Sequence, residues 1–433
     1  MPNLNQPTEI SLATEWEDPR GASCEELRAT WCRLSIRVGQ SVLTRVLDES
    51  AQSVRDAIYA PAYPLAEWIA FNWWPLMTEC RSEPASGANQ RHNLRFAAEG
   101  FAWPDLEFVP EGRWVRAVWK ASAPTSSKVR FLEEGFAVIE KKALAKALTE
   151  FVDRVVARLE LHNAGPTALV EEWAAIRQAN SEETAFCEAA GAMGLDPYNL
   201  PDQVADRLTQ ASAMLPSEVL SEFFSAASTE QVHQQAAWIQ SALQKLAKRP
   251  LTSRLKGWLG RYRDRLEDAE PWQQGYLLAH DFRQDAKLKH ISSPPNLEQV
   301  CGTDEGRLPV VAVASADPVA EAIARFTNAR GPAVLMPKRR EESRRFALAR
   351  SLCEYLCAAH DGAALLTTAA TERQKRTRAF AAELLAPAEG IRGLLSRARV
   401  SGDEIAEIAA HFRVSDWVIR HQLENHGLAR AVS

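Results

Sequence analysis

Apolar and polar residues alternate with a period of two at several places in the first 160 residues, whereas much of the remaining chain carries a helical period. Leu34-Ser35-Ile36-Arg37-Val38-Gly39 alternates and ends on glycine, which predicts a strand entering a turn. Leu106-Glu107-Phe108-Val109, then Pro110-Glu111-Gly112, then Trp114-Val115-Arg116-Ala117-Val118-Trp119 predicts a β-hairpin. Between them, residues 64–74 are densely apolar with Pro64 in the first turn, the start of a core helix. Residues 135–139 predict a last strand and residues 141–159 an amphipathic helix. Eight of the thirteen tryptophans precede Lys120, so residues 1–160 are expected to form a tryptophan-rich α+β domain. Aromatic clusters are usually core, and a base-stacking platform or partner groove is the competing reading.

From Ala168 onward the pattern is helical, broken at Gly194-Leu195-Asp196-Pro197 and at Pro216, Pro250 and Pro271. This predicts a helical domain over residues 161–300. Helices at 183–194 and 201–211 have the outline of a DNA-binding pair, but Asp202 and Asp206 against Arg207 favour packing. Ser292-Ser293-Pro294-Pro295-Asn296 and residues 302–306 read as a linker before a third domain, 301–433. There the pattern predicts strands at 309–314 and 331–336, with a helix capped by Asp317 and running through Phe326 between them. Further helices follow at 344–359, 371–385, 401–412 and 415–425, the last capped by Ser415 and closed by Gly427. The fold class is therefore α+β and helix-rich.

The string Arg344-Arg345-Phe346-Ala347-Leu348-Ala349, the strand before it and Phe380-Ala381-Ala382-Glu383-Leu384-Leu385-Ala386-Pro387 resemble the ImmA/IrrE family of zincin-like metallopeptidases. The resemblance implies a zincin-like domain in the C-terminal third, a zinc-binding His-Glu-x-x-His directly after the first string and a third ligand on the second helix. In such a motif two histidines at i and i+4 bind the metal, and the glutamate activates its water. Here the five positions read Arg350-Ser351-Leu352-Cys353-Glu354, and the third ligand falls near Gln374, with Glu372 as the alternative register. An arginine stays protonated and cannot ligate zinc. The motif is expected to be degenerate, with no metal, no cofactor and no catalytic residue. Arg350 and Glu354 at i, i+4 fit a helix-surface ion pair. Arg373, Lys375, Arg376 and Arg378 could make an emptied cleft attractive to an anion. Cys353, Cys357 and His360 on one helix face are an alternative ligand set without a visible fourth member.

Composition narrows the remaining choices. Hydrophobic residues make up 46% and charged residues 25%, as in ordinary globular chains. A net charge of −5 excludes wholesale nucleic-acid binding but not a basic face. Seven cysteines without a framework, a polar N-terminal stretch and no apolar run of spanning length predict a soluble, cytoplasmic protein that does not enter membranes. The most basic segment holds Lys245, Lys248, Arg249, Arg254, Lys256, Arg261, Arg263 and Arg265 around Trp258 and Tyr262, the pattern of a nucleic-acid contact. Its competing reading is a solvated face balanced by Glu267, Asp268 and Glu270. Arg91-His92-Asn93-Leu94-Arg95 could meet phosphate, and Arg420, His421 and Gln422 could reach DNA, although packing explains both. His280 and His290 beside Asp281 and Asp285 match no metal spacing.

The first expectation is a catalytically inactive peptidase-like protein that serves as a binding or regulatory scaffold for a protein partner. The family resemblance adds bacterial cytoplasm, mobile elements, phage defence and control of DNA-binding regulators as context. The alternatives are a nucleic-acid-binding component using residues 245–265, and a metallopeptidase with unorthodox ligands.

Overall fold

The strand Trp31–Val38 buries Cys32, Leu34, Ile36 and Val38, so its alternation is the pleat of a half-buried strand. It is the centre of a four-stranded sheet, flanked antiparallel by Ile10–Trp16 and Ile58–Pro61 and joined by Ser41–Val42. The computed structural model describes residues 8–18, 24–80, 87–97, 100–124, 127–248, 252–266, 269–288, 290–303, 307–313, 319–337, 340–395 and 399–431. Two compact units divide the chain, Met1–Thr209 and Gln210–Ser433. The architecture is mixed α+β and rich in helix.

In the first unit the predicted hairpin forms between Asp105–Glu111 and Trp114–Lys120. Pro110 and Glu111 lie inside the strand rather than in the turn, Pro110 opposite Val115. Gly135–Glu140 adds a third strand, and the helix Lys141–Leu161 lays Leu144, Leu148, Phe151, Val152, Val155 and Leu159 into the core. Trp68, Trp74, Trp103 and Trp119 are all buried there, which is the core reading of the aromatic excess. The same core continues through Trp173, Ile176 and Cys187.

The second unit is built on a mixed four-stranded sheet in the order Val310–Val313, Gly331–Pro337, Ala322–Thr327, Gly362–Leu366. The first pair is parallel and the other two are antiparallel. Two expectations need correction here. Residues 322–327 are a strand, not the end of a helix, and Asp317 lies outside the described residues. The strand has neighbours on both edges, and its continuous apolar run Ala322-Ile323-Ala324 is one that periodicity cannot separate from a buried helix. The second correction is an addition: Gly362–Leu366, rich in alanine and leucine, is held as a strand by its pairing with Ala322–Thr327.

Against this sheet lies the first site helix, Glu341–Cys357, followed after the last strand by the second, Glu372–Leu385. Ser401 begins the helix Gly402–Phe412 in a capping box with Glu404. Ser415 stands at the N-cap of Asp416–Asn425, but its side chain makes no capping bond. No helix among the described residues is long and apolar enough to cross a membrane.

The helix Pro271–Asp285 packs along the second site helix, and Gly275 lies directly against that helix's backbone. A Cβ at Gly275 would lie 2.7 Å from the Ala379 Cβ and 2.8 Å from the Phe380 nitrogen. Gly275→Ala should therefore destabilise the protein by about 1–3 kcal/mol through overpacking, although alanine is the better helix former. Urea unfolding monitored by circular dichroism measures the change. A neutral or stabilising outcome would mean that the two helices are not in direct backbone contact.

Candidate functional site

Residues 345 and 347–356 of the first site helix are all buried, so this helix has no solvent face through its centre. The charged side chains it carries must find partners inside. Arg350, 2% exposed, does so with most of its donors. Its Nη1 pairs with Glu321, just before the strand Ala322–Thr327. Its Nη2 donates to Gln374 Oε1 and, at 3.1 Å, to the Thr367 carbonyl, while its Nε reaches Thr377 Oγ1 at 3.3 Å.

Gln374 is the hub opposite. Its Oε1 also accepts from the Thr367 amide at 3.0 Å, and its Nε2 donates to Glu222 Oε2 and to the Leu365 carbonyl, both at 2.8 Å. Thr371 begins the second site helix by accepting from the Gln374 amide, and its hydroxyl lies 2.8 Å from both carboxylate oxygens of Glu222. Glu354 pairs with Arg373 Nη2 at 2.6 Å. Ser351 turns its hydroxyl back to the Ala347 carbonyl at 2.9 Å.

Arg350 and Gln374 thus share one buried network with Glu222, Glu354 is paired with Arg373 apart from it, and Ser351 is occupied by its own helix. The expected surface ion pair between Arg350 and Glu354 is not what forms. Both side chains are buried, and each takes a partner from another element, Glu321 for the arginine and Arg373 for the glutamate. Glu222, on the helix Ser217–Phe224, and Glu321 are the members that the sequence did not reveal. Their only signal was indirect: a cluster of bases on buried helices requires acids from elsewhere.

The electrostatics follow from burial. Desolvation lowers the pKa of Arg350, opposed by Glu321, Glu222 and Glu354. Burial pushes the Glu222 carboxyl above its ordinary value despite Arg373 and the bonds from Thr371 and Gln374. Burial also acts to raise Glu354, but Arg373, Arg376 and Arg350 outweigh it and hold that carboxyl below its ordinary value. Arg378 donates to the Thr367 and Ala369 carbonyls, and burial followed by Arg350 brings it down to about 10. The bases expected to attract an anion are thus largely engaged by the protein's own acids and carbonyls.

These residues do not fit zinc. A guanidinium has no free lone pair to offer, and a permanent cation in hydrogen-bond contact with Gln374 would repel a divalent ion placed between them. Among the described residues no three or more His, Cys, Asp and Glu side chains are grouped to hold a metal. Cys353 is buried and free, its thiol pushed up by desolvation and then by a hydrogen bond with the Cys357 thiol. His360 is exposed, with its Nδ1 2.9 Å from the Asp361 carbonyl.

The basic segment is tied to the end of the first site helix. The Gly260 and Tyr262 amides donate to the Tyr355 and Leu356 carbonyls at 3.1 and 2.8 Å. Gly260 has φ +68°, and a Cβ there would sit 2.6 Å from the Ala358 carbonyl oxygen. Tyr262 is fully buried with its hydroxyl on Asp285, and Arg261 lies over Trp258 while pairing with the same aspartate. Arg265 pairs with Asp281. Asp281 and Asp285 therefore balance Arg261 and Arg265, while Glu267 and Asp268, two of the acids expected to do so, lie outside the described residues. Lys245, Lys248, Arg254, Lys256 and Arg263 are exposed, and Arg249 lies outside the described residues.

The two smaller clusters resolve as packing. Arg91 and His92 both meet Glu79, at 2.7 and 2.9 Å, and Asn93 bonds Asp105. Gln422 is buried against Glu383 and the Ala386 carbonyl, which corrects its reading as a DNA-reaching residue, whereas Arg420 is exposed and His421 stacks on Trp417.

Because the folded Glu222 has a raised pKa, the folded state holds its proton to higher pH than the unfolded state, and stability falls as pH rises through that interval. Glu222→Gln removes this dependence. Unfolding free energies measured in urea should favour the variant increasingly between about pH 4 and pH 7. A constant difference across that range would show that Glu222 is not held above its ordinary value.

A peptidase-family model described as the IrrE N-terminal-like domain matches residues 310–424, a span that contains the sheet and both site helices. No curated protein and no solved structure matches the chain.

Proposed function

We propose that this protein is a catalytically inactive relative of the zincin-like peptidases, acting as a binding or regulatory scaffold for a protein partner. The observation that carries the reading is Arg350, whose buried guanidinium is bonded to Glu321, Gln374, Thr377 and the Thr367 carbonyl where the resemblance puts the first zinc-binding histidine. The network joins the two site helices, the helix Ser217–Phe224 and the sheet by ionic and hydrogen-bond contacts, a fixing role that needs no metal. By family analogy the setting is bacterial mobile-element control or phage defence.

Metal analysis of the purified full chain should find no stoichiometric zinc. The combined variant Arg350→His, Ser351→Glu, Glu354→His, Gln374→Glu should acquire about one zinc per chain, since it restores the ligand set at the matching positions. Stoichiometric zinc in the wild type would instead support a peptidase with unorthodox ligands. A folded combined variant without zinc would break the positional correspondence.

A second reading, nucleic-acid contact, is favoured by exposed Lys245, Lys248, Arg254, Lys256 and Arg263, none of which has an ion-pair partner among the described residues. Mobility shifts with single- and double-stranded DNA and RNA would then weaken steeply with salt, and Arg254→Gln with Lys256→Gln would lower the salt slope by about 2. Absence of any shift at low salt leaves the protein scaffold.

A further inference from the structure

The first site helix ends on two thiols one turn apart, Cys353 and Cys357, both free. Cys353 is buried, whereas Cys357, the last helical residue, is partly exposed. The Cys353 thiol is hydrogen-bonded to the Cys357 sulfur. Cys357 also lines a cavity of about 220 Å³, together with buried Glu354 and Arg376 and exposed Ala359 and His360, so the cavity opens to solvent.

These surroundings make a thiol reactive. The hydrogen bond from Cys353 lowers the Cys357 pKa against the opposing effect of burial, and Arg376 and Arg373 add positive charge that Glu354 only partly offsets. The thiolate is the form that attacks peroxides, so a partly exposed cysteine beside guanidiniums reacts ahead of an ordinary one. Residues at i and i+4 of a helix have Cβ atoms about 5–6 Å apart, and a disulfide needs about 4 Å. That gap closes more readily at a fraying helix end than in mid-helix, and Ala358 already has extended backbone, φ −69° and ψ 145°.

We infer that Cys357 is a peroxide-reactive thiol and Cys353 its resolving partner. The Cys357 thiolate attacks one oxygen of a hydroperoxide and the O–O bond breaks. The departing oxyanion takes up the proton that the thiol had lost, and a sulfenic acid is left at Cys357. The Cys353 sulfur then attacks the sulfenic sulfur, the S–O bond breaks, and the oxygen leaves as water with the Cys353 proton. Two thiols and one hydroperoxide thus become a disulfide, an alcohol and water, with a second water in place of the alcohol when the oxidant is hydrogen peroxide. Closure draws in the turn whose Tyr355 and Leu356 carbonyls hold the Gly260 and Tyr262 amides. This goes beyond the scaffold reading and gives it a redox input at that seam.

The test treats the reduced full chain with hydrogen peroxide, alkylates the remaining thiols and maps the tryptic peptides by mass. Residues 351–373 form one such peptide, which holds both cysteines. It should lose two hydrogens and escape alkylation, at a rate at least about tenfold above the oxidation of exposed Cys24, and a reductant should restore it. Cys353→Ser should stop at a Cys357 sulfenic acid that dimedone traps, and Cys357→Ser should leave Cys353 reduced. Alkylation of both cysteines up to peroxide levels that oxidise Cys24 would overturn the inference, and this arm uses the wild type, so it does not depend on a variant folding. Sulfinic acid at Cys357 in place of the disulfide, or a folded Cys353→Ser in which dimedone finds no Cys357 adduct, would overturn it as well. Zinc content tests the inactivity reading separately, so either can fail without the other.

Discussion

A guanidinium taken out of water must be surrounded by acceptors, and Arg350 imposes that requirement on everything near it. A buried charge of this kind is costly to desolvate, and its attraction to a partner repays the cost only when geometry and further hydrogen bonds are complete. Glu321, Gln374, Thr377 and the Thr367 carbonyl meet the requirement, from the segment before the strand Ala322–Thr327, from the second site helix and from the chain just after the strand Gly362–Leu366. Gln374 then has to be held by Glu222 and the Leu365 carbonyl, and Glu222 by Thr371. The sheet, the two site helices and the helix Ser217–Phe224 are thus placed relative to one another by a chain of polar contacts that begins with one side chain. Such a cluster is weak evidence for high stability, because well-packed apolar residues often do as well, but it specifies an arrangement.

Much of the architecture was legible because it rests on local rules. The alternation at 34–39, the hairpin around Gly112 and the apolar strand at 331–336 each depend on residues a few positions apart, whereas the cap expected at Ser415 does not form. The segment 322–327 was not legible for a physical reason: Ala322, Ile323 and Ala324 are buried in succession, and a continuous buried run erases the period that distinguishes strand from helix. The family resemblance was carried by the strings flanking the site, and it is supported over residues 310–424.

The site itself was legible by half. The positions 350, 354 and 374 could be singled out by their offsets from the flanking strings, and Arg350 and Gln374 do meet, while Glu354 pairs with Arg373. Their partners could not, because Glu222 and Glu321 lie on other elements and nothing in their own neighbourhoods marks them. The Arg350 and Glu354 spacing suggested a pair with each other because helical offset is all that a sequence offers, whereas burial of the helix's centre redirected both. Composition alone does not sort the basic segment: interleaved aromatics and arginines look the same whether they face a nucleic acid or, as Tyr262 does, an aspartate one helix away.

The docking of residues 253–262 onto Tyr355 has a consequence for where this domain begins. The Tyr355 hydroxyl donates to the Leu255 carbonyl at 2.7 Å and accepts from the Trp258 amide at 3.1 Å, and the last turn of the first site helix finds its backbone partners in the same segment. A polypeptide started at Val310 would contain every residue of the family match and yet lack the cover for that helix end, as well as Glu222. The stretch that the family model matches is therefore shorter than the stretch that supplies its cover and its polar partners, and the second reaches back at least to the helix Ser217–Phe224.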